Sequence, residues 1–294
     1  MKTNIEWTEH SVNPFRARNI ETGEVGHFCI KVSAGCANCY AGKLQHRFGT
    51  HLDYDVRNKD KVELFLDESK LQEVLKRKKP TKYFWCDMTD MFYEGYPDDW
   101  IDKCFAVMAL TPQHTHQILT KRPERMREYL LQLTDERLED ACAVYSHNID
   151  DWELPLKNVW LGVSVEDQKT ADERIPILLG TPAAIRFISY EPALGAVNLK
   201  SLRYDSHRFL NALTGKREVA QDFGRVQEGL ASTKLNWVIA GGESGTGARG
   251  FEIKWFEDVM AQCKAAGVPF FMKQLDKKQP IPEHLLVRQF PEVK

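Results

Sequence analysis

Residues Val159–Val165 read VWLGVSV, a nearly continuous apolar run that leads directly into the polar pair Glu166 and Asp167. A short run of this kind, without alternating polar residues, is typical of a strand that is buried on both faces of a parallel sheet. The segment 170–179 that follows is amphipathic in the way that a surface helix is. The stretch therefore predicts a β-strand followed by a helix, the repeating unit of an α/β fold.

Five similar runs flank this strand on both sides. They are residues 82–88 (KYFWCDM), 116–120 (HQILT), 185–190 (IRFISY), 237–240 (WVIA) and 269–272 (PFFM). Helix-like segments alternate with them at residues 67–79, 97–110, 123–133, 170–179 and 254–266. The alternation predicts an α/β fold with right-handed crossovers. Six such units favour a TIM-barrel-like or partial (βα)6 barrel, and an open doubly wound sheet is the alternative.

Length and composition indicate an ordinary globular protein. The 294 residues are 43% hydrophobic and 28% charged with a formal net charge of -2, so bulk charge excludes a strongly polybasic nucleic-acid binder. The first residues carry no apolar signal core, and no apolar run approaches the ~20 residues of a membrane span. We expect a cytoplasmic protein that makes no membrane contact. We also expect a single barrel domain over residues 1–294, with a polar surface insertion at 199–234.

Three of the seven cysteines lie within eleven residues, as Cys29, Cys36 and Cys39 in the pattern C-x6-C-x2-C. In a reducing compartment such a cluster indicates metal or redox chemistry rather than disulfides. Thiolates are the soft ligands that both iron–sulfur clusters and zinc select. Three ligands leave one metal position open, whereas a structural zinc site takes four, and His27 or Cys86 could supply the fourth. We predict that the three cysteines hold a [4Fe–4S] cluster, with zinc as the alternative.

Polar residues follow every predicted strand. In α/β barrels the chemistry collects at the carboxyl ends of the strands, so these residues are candidates for a common pocket. Glycines after a strand also let the backbone approach a ligand closely. The candidates in chain order are Asp87, Asp90, Lys121, Arg122, Ser164, Glu166, Glu191, Gly241, Gly242, Glu243, Lys273 and Gln274.

Sequence motifs along nearly the whole chain resemble those of a known group of proteins. The motifs are IEWTEHSVNPF, CIKVSAGCANCYA, FWCDMTDMFYEGYPDDWI, ILTKRPERM, WLGVSVEDQ, RFISYEPALG, WVIAGGESGTGAR and FFMKQ. Together they resemble the phage-associated three-cysteine-motif family of unknown function. The ending Cys-x-x-Cys-Tyr-Ala is also similar to the spore photoproduct lyase-like branch of radical S-adenosylmethionine enzymes. Those enzymes normally use C-x3-C-x2-C, so the first spacing of this chain departs from their pattern.

The resemblance implies a barrel of the radical S-adenosylmethionine type, a [4Fe–4S] cluster, bound S-adenosylmethionine and a separate partner protein. Phage association and the lyase-like ending, together with the basic pair at a strand end, favour a nucleic acid or nucleotide as the substrate. The implied catalytic residues are Lys121, Arg122, Asp87 and Asp90, with Lys121 and Arg122 taking a carboxylate or a substrate phosphate. The implied ligands of S-adenosylmethionine are Ser164, Glu166, Glu191, Gly241, Gly242 and Glu243.

Three kinds of function follow from these observations. The first is a radical S-adenosylmethionine-type enzyme that modifies a nucleic acid or nucleotide. The second is a non-enzymatic iron–sulfur or zinc protein that acts as a partner or sensor of another protein. The third is a metal-dependent barrel hydrolase that uses Asp87, Asp90 and Glu191, which is the weakest because no His pair accompanies them at ligand spacing.

Overall fold

The computed structural model describes residues 2–145, 152–221, 224–230, 233–245, 247–276 and 279–292, which form a mixed α/β protein. The strands are β1 (His10–Val12), β2 (Phe15–Asn19), β3 (Val25–Gly26), β4 (Val62–Leu66), β5 (Lys82–Trp85), β6 (Thr115–Thr120), β7 (Val159–Val165), β8 (Ile185–Tyr190), β9 (Leu202–Arg203), β10 (Arg208–Leu210), β11 (Lys216–Gln221), β12 (Gly224–Leu230), β13 (Trp237–Gly241) and β14 (Phe270–Gln274). The helices are α1 (Tyr40–Phe48), α2 (Glu68–Lys76), α3 (Asp98–Ala109), α4 (Pro123–Gln132), α5 (Asp135–Ala143), α6 (Gln168–Leu179) and α7 (Ile253–Ala266).

The largest sheet has seven strands in the order β1-β5-β6-β7-β8-β13-β14. Its pairs β1–β5, β5–β6, β8–β13 and β13–β14 are parallel. The predicted α/β class with a parallel sheet is therefore confirmed. Within the described residues, none of the helices combines the length and the apolar character needed to cross a membrane.

The chain divides into two compact units. One consists of Met1–Trp160 with Pro182–Ala184, and the other of Leu161–Thr181 with Ile185–Lys294. The single domain expected over residues 1–294 stays a prediction.

In the first unit, Tyr83 of β5 pairs with His10 of β1 on one side and with His116 of β6 on the other. The indole N–H of the buried Trp85 donates to Nδ1 of His116 (3.0 Å), and Nε2 of the same ring lies 3.0 Å from Thr111 Oγ1. Both ring nitrogens therefore have partners, as buried polar groups require. A second sheet, with the antiparallel order β3-β2-β4, belongs to the same unit.

Strand β5 ends earlier than the sequence predicts. The predicted strand 82–88 stops at Trp85, because Cys86 adopts the left-handed backbone conformation with φ of 62°. A non-glycine residue rarely adopts this conformation, and it cannot continue a strand. The residues from Cys86 to Asp90 consequently form a loop at the carboxyl end of β5.

The second unit begins within β7, at Leu161, and all seven residues of this strand are buried, as the opening stretch predicts. Asp167 then begins α6 with a capping box, accepting from the Thr170 backbone N–H (2.8 Å) and donating its own N–H to Thr170 Oγ1 (3.0 Å). The predicted insertion 199–234 holds an antiparallel sheet of order β12-β11-β10-β9. Residues 222–223 and 231–232 of that insertion lie outside the described part of the chain.

Candidate metal centre and the polar strand ends

The three clustered cysteines lie in the first unit, in the segment between β3 and α1. Cys36 ends a single 3-10 turn, Ala34–Cys36, and Cys39 is the residue that precedes helix α1. The turn is closed by backbone hydrogen bonds from Cys36 N to Ser33 O (3.0 Å) and from Cys39 N to Cys36 O (3.3 Å). These three cysteines are half-buried, whereas the other four in the chain are buried. We refer to residues 28–39 as the cysteine loop.

Hydroxyl groups attach the start of the cysteine loop to the loop after β5. Thr89 Oγ1 (2.9 Å) and Tyr96 Oη (3.0 Å) both donate to the backbone carbonyl of Phe28, which precedes Cys29 directly. Each such bond contributes on the order of 1 kcal/mol net. The Phe28 ring is buried and makes edge contacts with Tyr54 and Tyr93. Cys29 is therefore held against the carboxyl end of β5.

Two tyrosine hydroxyls that follow the cysteine loop in sequence donate to backbone carbonyls of the loop after β5. Tyr40 Oη, on the first residue of α1, donates to the Asp87 carbonyl (2.6 Å), and Tyr54 Oη donates to the Met88 carbonyl (2.5 Å). Hydrogen bonds thus join the loop after β5 to both ends of the cysteine loop. These bonds hold Cys29, which follows Phe28, and Cys39, which precedes Tyr40, near the end of β5.

Arg122 is a charged residue in contact with a thiol of the cysteine loop. It precedes α4, is only 5% exposed, and its Nη1 lies 3.9 Å from Cys29 Sγ and 3.2 Å from Asp90 Oδ2. Its Nη2 donates to the carbonyl of Ile30 (2.9 Å), and its Nε donates to the carboxylate of Glu94 (3.0 Å). A buried charge needs this degree of pairing, because desolvation otherwise costs several kcal/mol.

Asp90 is equally well satisfied. Its Oδ1 accepts from Thr120 Oγ1 (2.7 Å) and Phe92 N (3.0 Å), and its Oδ2 accepts from Lys121 N (3.0 Å) in addition to Arg122. The carboxylate links the loop after β5 to the end of β6. It is a buried structural anion as well as a predicted catalytic residue.

Desolvation and nearby charges control the protonation of the first cysteine. Burial raises the pKa of the Cys29 thiol to about 12, Arg122 opposes this rise, and the charges of Asp90, Cys39 and Cys36 add to it. Cys36 and Cys39 are therefore close enough to act electrostatically on the Cys29 thiol. Across the described ranges, however, no group of three or more His, Cys, Asp or Glu side chains has the geometry of a metal site. The fit of this loop to a metal consequently rests on its donor set of three soft sulfurs.

The two candidates for a fourth ligand are the half-buried His27 and the buried Cys86. His27 Nδ1 lies 3.0 Å from the Phe15 carbonyl, and burial lowers the pKa of its ring to about 4, so the ring is neutral. Cys86 lies in the core, and burial raises the pKa of its thiol. Neither contact set directs a further ligand toward the cysteine loop.

The four predicted catalytic residues lie together at the ends of β5 and β6. Burial raises the pKa of Asp87, although Asn13 Nδ2 donates to its Oδ1 (2.5 Å) and lowers that pKa in part. Asp90 and Arg122 are paired with each other, and the half-buried Lys121 directly precedes Arg122 and donates its backbone N–H to Asp90. The structure brings Asp87, Asp90, Lys121 and Arg122 beside the cysteine loop, and their catalytic roles stay predictions.

The strand ends of the second unit form a separate polar cluster. Lys273 Nζ donates to both carboxylate oxygens of Glu191 (2.7 and 2.9 Å). Gln274 Nε2 donates to Glu191 Oε1 (3.1 Å) and to the Gly242 carbonyl (3.2 Å). At Gly241, an added Cβ would lie 3.3 Å from the Glu191 carboxyl carbon, so only glycine fits there without a shift. The ends of β8, β13 and β14 thus meet.

The other two predicted carboxylates of this unit also have cationic partners. Glu243 accepts two hydrogen bonds from the Arg249 guanidinium (2.6 and 2.9 Å) and one from the Arg249 backbone N–H (2.9 Å). The fully buried Glu166 pairs with Arg174 Nη1 at 3.2 Å, and the same Nη1 donates to the Ser164 carbonyl (2.8 Å). The predicted roles of these residues in binding S-adenosylmethionine stay predictions.

Sequence reasoning missed several residues that hold these sites. Arg174 and Glu94 were not named, although each lies nine positions after the end of a strand and is opposite in charge to the strand-end residue that it pairs with, Glu166 and Arg122 respectively. The sequence shows Tyr40 only as part of the Cys-x-x-Cys-Tyr-Ala ending and gives no sign of Tyr54, because an aromatic residue that donates to a backbone carbonyl leaves no pattern in the sequence.

The fold and the sites define an α/β protein with a three-cysteine loop at the carboxyl end of a parallel strand. The chain belongs to the family described as "Protein of unknown function (DUF5131)", whose model matches residues 2–284. No curated protein and no solved structure matches this chain.

Proposed function

We propose that this protein is an iron–sulfur enzyme of the radical S-adenosylmethionine type, built on a partial barrel, that modifies a nucleic acid or nucleotide. The observation that carries the proposal is the gathering of Cys29, Cys36 and Cys39 in one loop beside a strand end. The motif resemblance adds phage association, S-adenosylmethionine and a separate partner protein to the proposal. Family membership adds no chemistry to this proposal, because the family itself is of unknown function.

The three cysteines would hold a [4Fe–4S] cluster, which when bound passes an electron to S-adenosylmethionine. The chain itself would fix the position of the cysteine loop. The Thr89 and Tyr96 hydroxyls donate to the Phe28 carbonyl at the start of this loop, and the Tyr40 hydroxyl, just after its end, donates to the Asp87 carbonyl. Lys121 is the proposed group for a substrate phosphate. The proposed S-adenosylmethionine ligands of the second unit are tested by substitution, with Glu191→Gln as the first variant.

The experiment is anaerobic reconstitution with iron and sulfide, followed by reduction with dithionite in the presence of S-adenosylmethionine. One electron would cleave S-adenosylmethionine to methionine and, after uptake of a hydrogen atom, 5′-deoxyadenosine. We expect deoxyadenosine from the wild type and none from Cys36→Ala. A wild type that forms the cluster but yields no deoxyadenosine, with or without added nucleic acid, contradicts the enzymatic part of the proposal.

A second candidate is a non-enzymatic iron–sulfur or zinc protein that acts as a partner or sensor. The observation that favours it is the pairing of Asp90, Glu191 and Glu243, each of which already binds a cation within its own unit. The same pairing weakens the hydrolase alternative, since hydrolytic metal ions need free carboxylates. One zinc per chain in colourless, anaerobically purified protein supports this second candidate.

A further inference from the structure

One guanidinium contacts the cysteine loop at two successive residues. Arg122 Nη1 lies 3.9 Å from Cys29 Sγ, and Nη2 donates to the carbonyl of Ile30 at 2.9 Å. The two nitrogens of a guanidinium are fixed in one plane, so the side chain sets both the position of the sulfur and the path of the backbone after it.

The orientation of this guanidinium is itself fixed by three neighbours. Asp90 accepts from Nη1 (3.2 Å), Glu94 accepts from Nε (3.0 Å), and the Tyr93 ring centre lies 5.3 Å from the guanidinium carbon. Asp90 in turn accepts three further hydrogen bonds from the ends of β5 and β6. The side chain therefore has little freedom to turn toward a substrate.

We infer that Arg122 is a positioning residue for the metal centre, which directs Cys29 toward the metal and stabilises the negative charge of its sulfur. This inference rests on the proposed function, because it requires that the cysteine loop binds a metal. Removal of a group that contacts a metal ligand and orients it typically weakens metal binding 10–100-fold. Hydrogen bonds and positive charge near cluster sulfurs also raise the reduction potential. Arg122 thus supports the cluster rather than a substrate.

The experiment compares Arg122→Gln and Arg122→Lys with the control Arg125→Gln. Arg125 is a cation on α4, three positions after Arg122, and it pairs with Asp98. The first measurement is Co²⁺ affinity of the metal-free full chain, followed by the sulfur-to-cobalt charge-transfer band. The second is the midpoint potential of the reconstituted cluster.

We expect Arg122→Gln to weaken Co²⁺ binding about 10–100-fold and to lower the midpoint potential. Arg122→Lys should restore part of both, since it keeps the charge but loses the planar fork. Arg125→Gln should match the wild type. Equal affinity and potential in Arg122→Gln and the wild type overturn the inference, whereas a wild type that binds neither Co²⁺ nor iron overturns the proposed function instead.

Removal of Arg122 alone leaves Asp90 buried without its cation, which destabilises a fold strongly. The double variant Asp90→Asn with Arg122→Gln removes both charges, and its circular dichroism shows whether the fold is kept. A folded double variant with wild-type Co²⁺ affinity contradicts the inference as directly as the single variant does.

Discussion

Both units place acidic residues at the carboxyl ends of parallel strands, but they use them differently. In the first unit the buried Asp90 pairs with an arginine that also contacts a cysteine sulfur. In the second unit Glu191 and Glu243 pair with Lys273 and Arg249, and no cluster of cysteines accompanies them. A polar strand end therefore does not distinguish a self-contained ion pair from a ligand site. A cation that is shared between a carboxylate and a thiol is the feature that distinguishes the proposed ligand site from a self-contained ion pair.

The largest expected effect is the loss of stability when the acid of a buried ion pair is neutralised, and its consequence for metal binding should differ between the two units. Asp90→Asn and Glu166→Gln each leave a buried arginine without a full counter-charge, so each should lower the free energy of unfolding by about 3 kcal/mol. Only Asp90→Asn should also weaken Co²⁺ binding, because only its partner contacts Cys29. Urea unfolding and Co²⁺ titration measure the two quantities. Equal loss of metal affinity in both variants would remove the difference between the units.

Acid should destabilise the first unit more than the second. Burial lowers the pKa of His116 from 6.5 to about 3, so the folded chain keeps this ring neutral while the unfolded chain protonates it below pH 6.5. The unfolded state then binds more protons, and stability falls as pH falls from 6.5 toward 3, by about 2 kcal/mol at pH 5. The histidines described in the second unit, His207 and His284, are exposed.

Hydrogen exchange at pH 7 and pH 5, followed by mass spectrometry, tests this difference. Peptides from β5 and β6 should lose protection at the lower pH, and peptides from β8 and β13 should lose less. His116→Gln should reduce the acid sensitivity of the first unit. Equal loss of protection in both units would show that another group is responsible.

The smallest expected effect concerns two tyrosine hydroxyls. Tyr40→Phe removes the bond to the Asp87 carbonyl, and Tyr190→Phe removes the bond to the Gly195 carbonyl in the second unit. Each should cost about 1 kcal/mol or less. Only Tyr40→Phe should speed hydrogen exchange in a peptide that covers the cysteine loop. Faster exchange there in Tyr190→Phe would contradict the independence of the two sites.

The sequence predicts the sheet well because its strands are buried on both faces. Val159–Val165 and Ile185–Tyr190 begin and end where predicted, since continuous apolar runs are bounded by polar residues. Helix α1 was missed because only Ala41 and Gln45 of its nine residues are buried, which leaves no apolar stripe to recognise. Strand β1 has only three residues and pairs with β5 through tertiary contacts.

The candidate site was predictable in part. The clustering of Cys29, Cys36 and Cys39 follows from spacing alone, and the grouping of Asp90 with Arg122 follows from strand ends that meet in a parallel sheet. Which strand-end residues neutralise one another could not be predicted, because that depends on side-chain directions at close range. The pairing of Glu166 with Arg174, eight positions later on the following helix, is such a case.

Iron and acid-labile sulfide per chain test the central claim most directly. After anaerobic reconstitution we predict about four irons and four sulfides in the wild type and in Cys142→Ala, whose thiol lies on α5 away from the cysteine loop. Cys36→Ala should hold neither. A wild type without iron, or a Cys36→Ala variant with undiminished iron, would contradict the assignment of the cysteine loop as the metal centre.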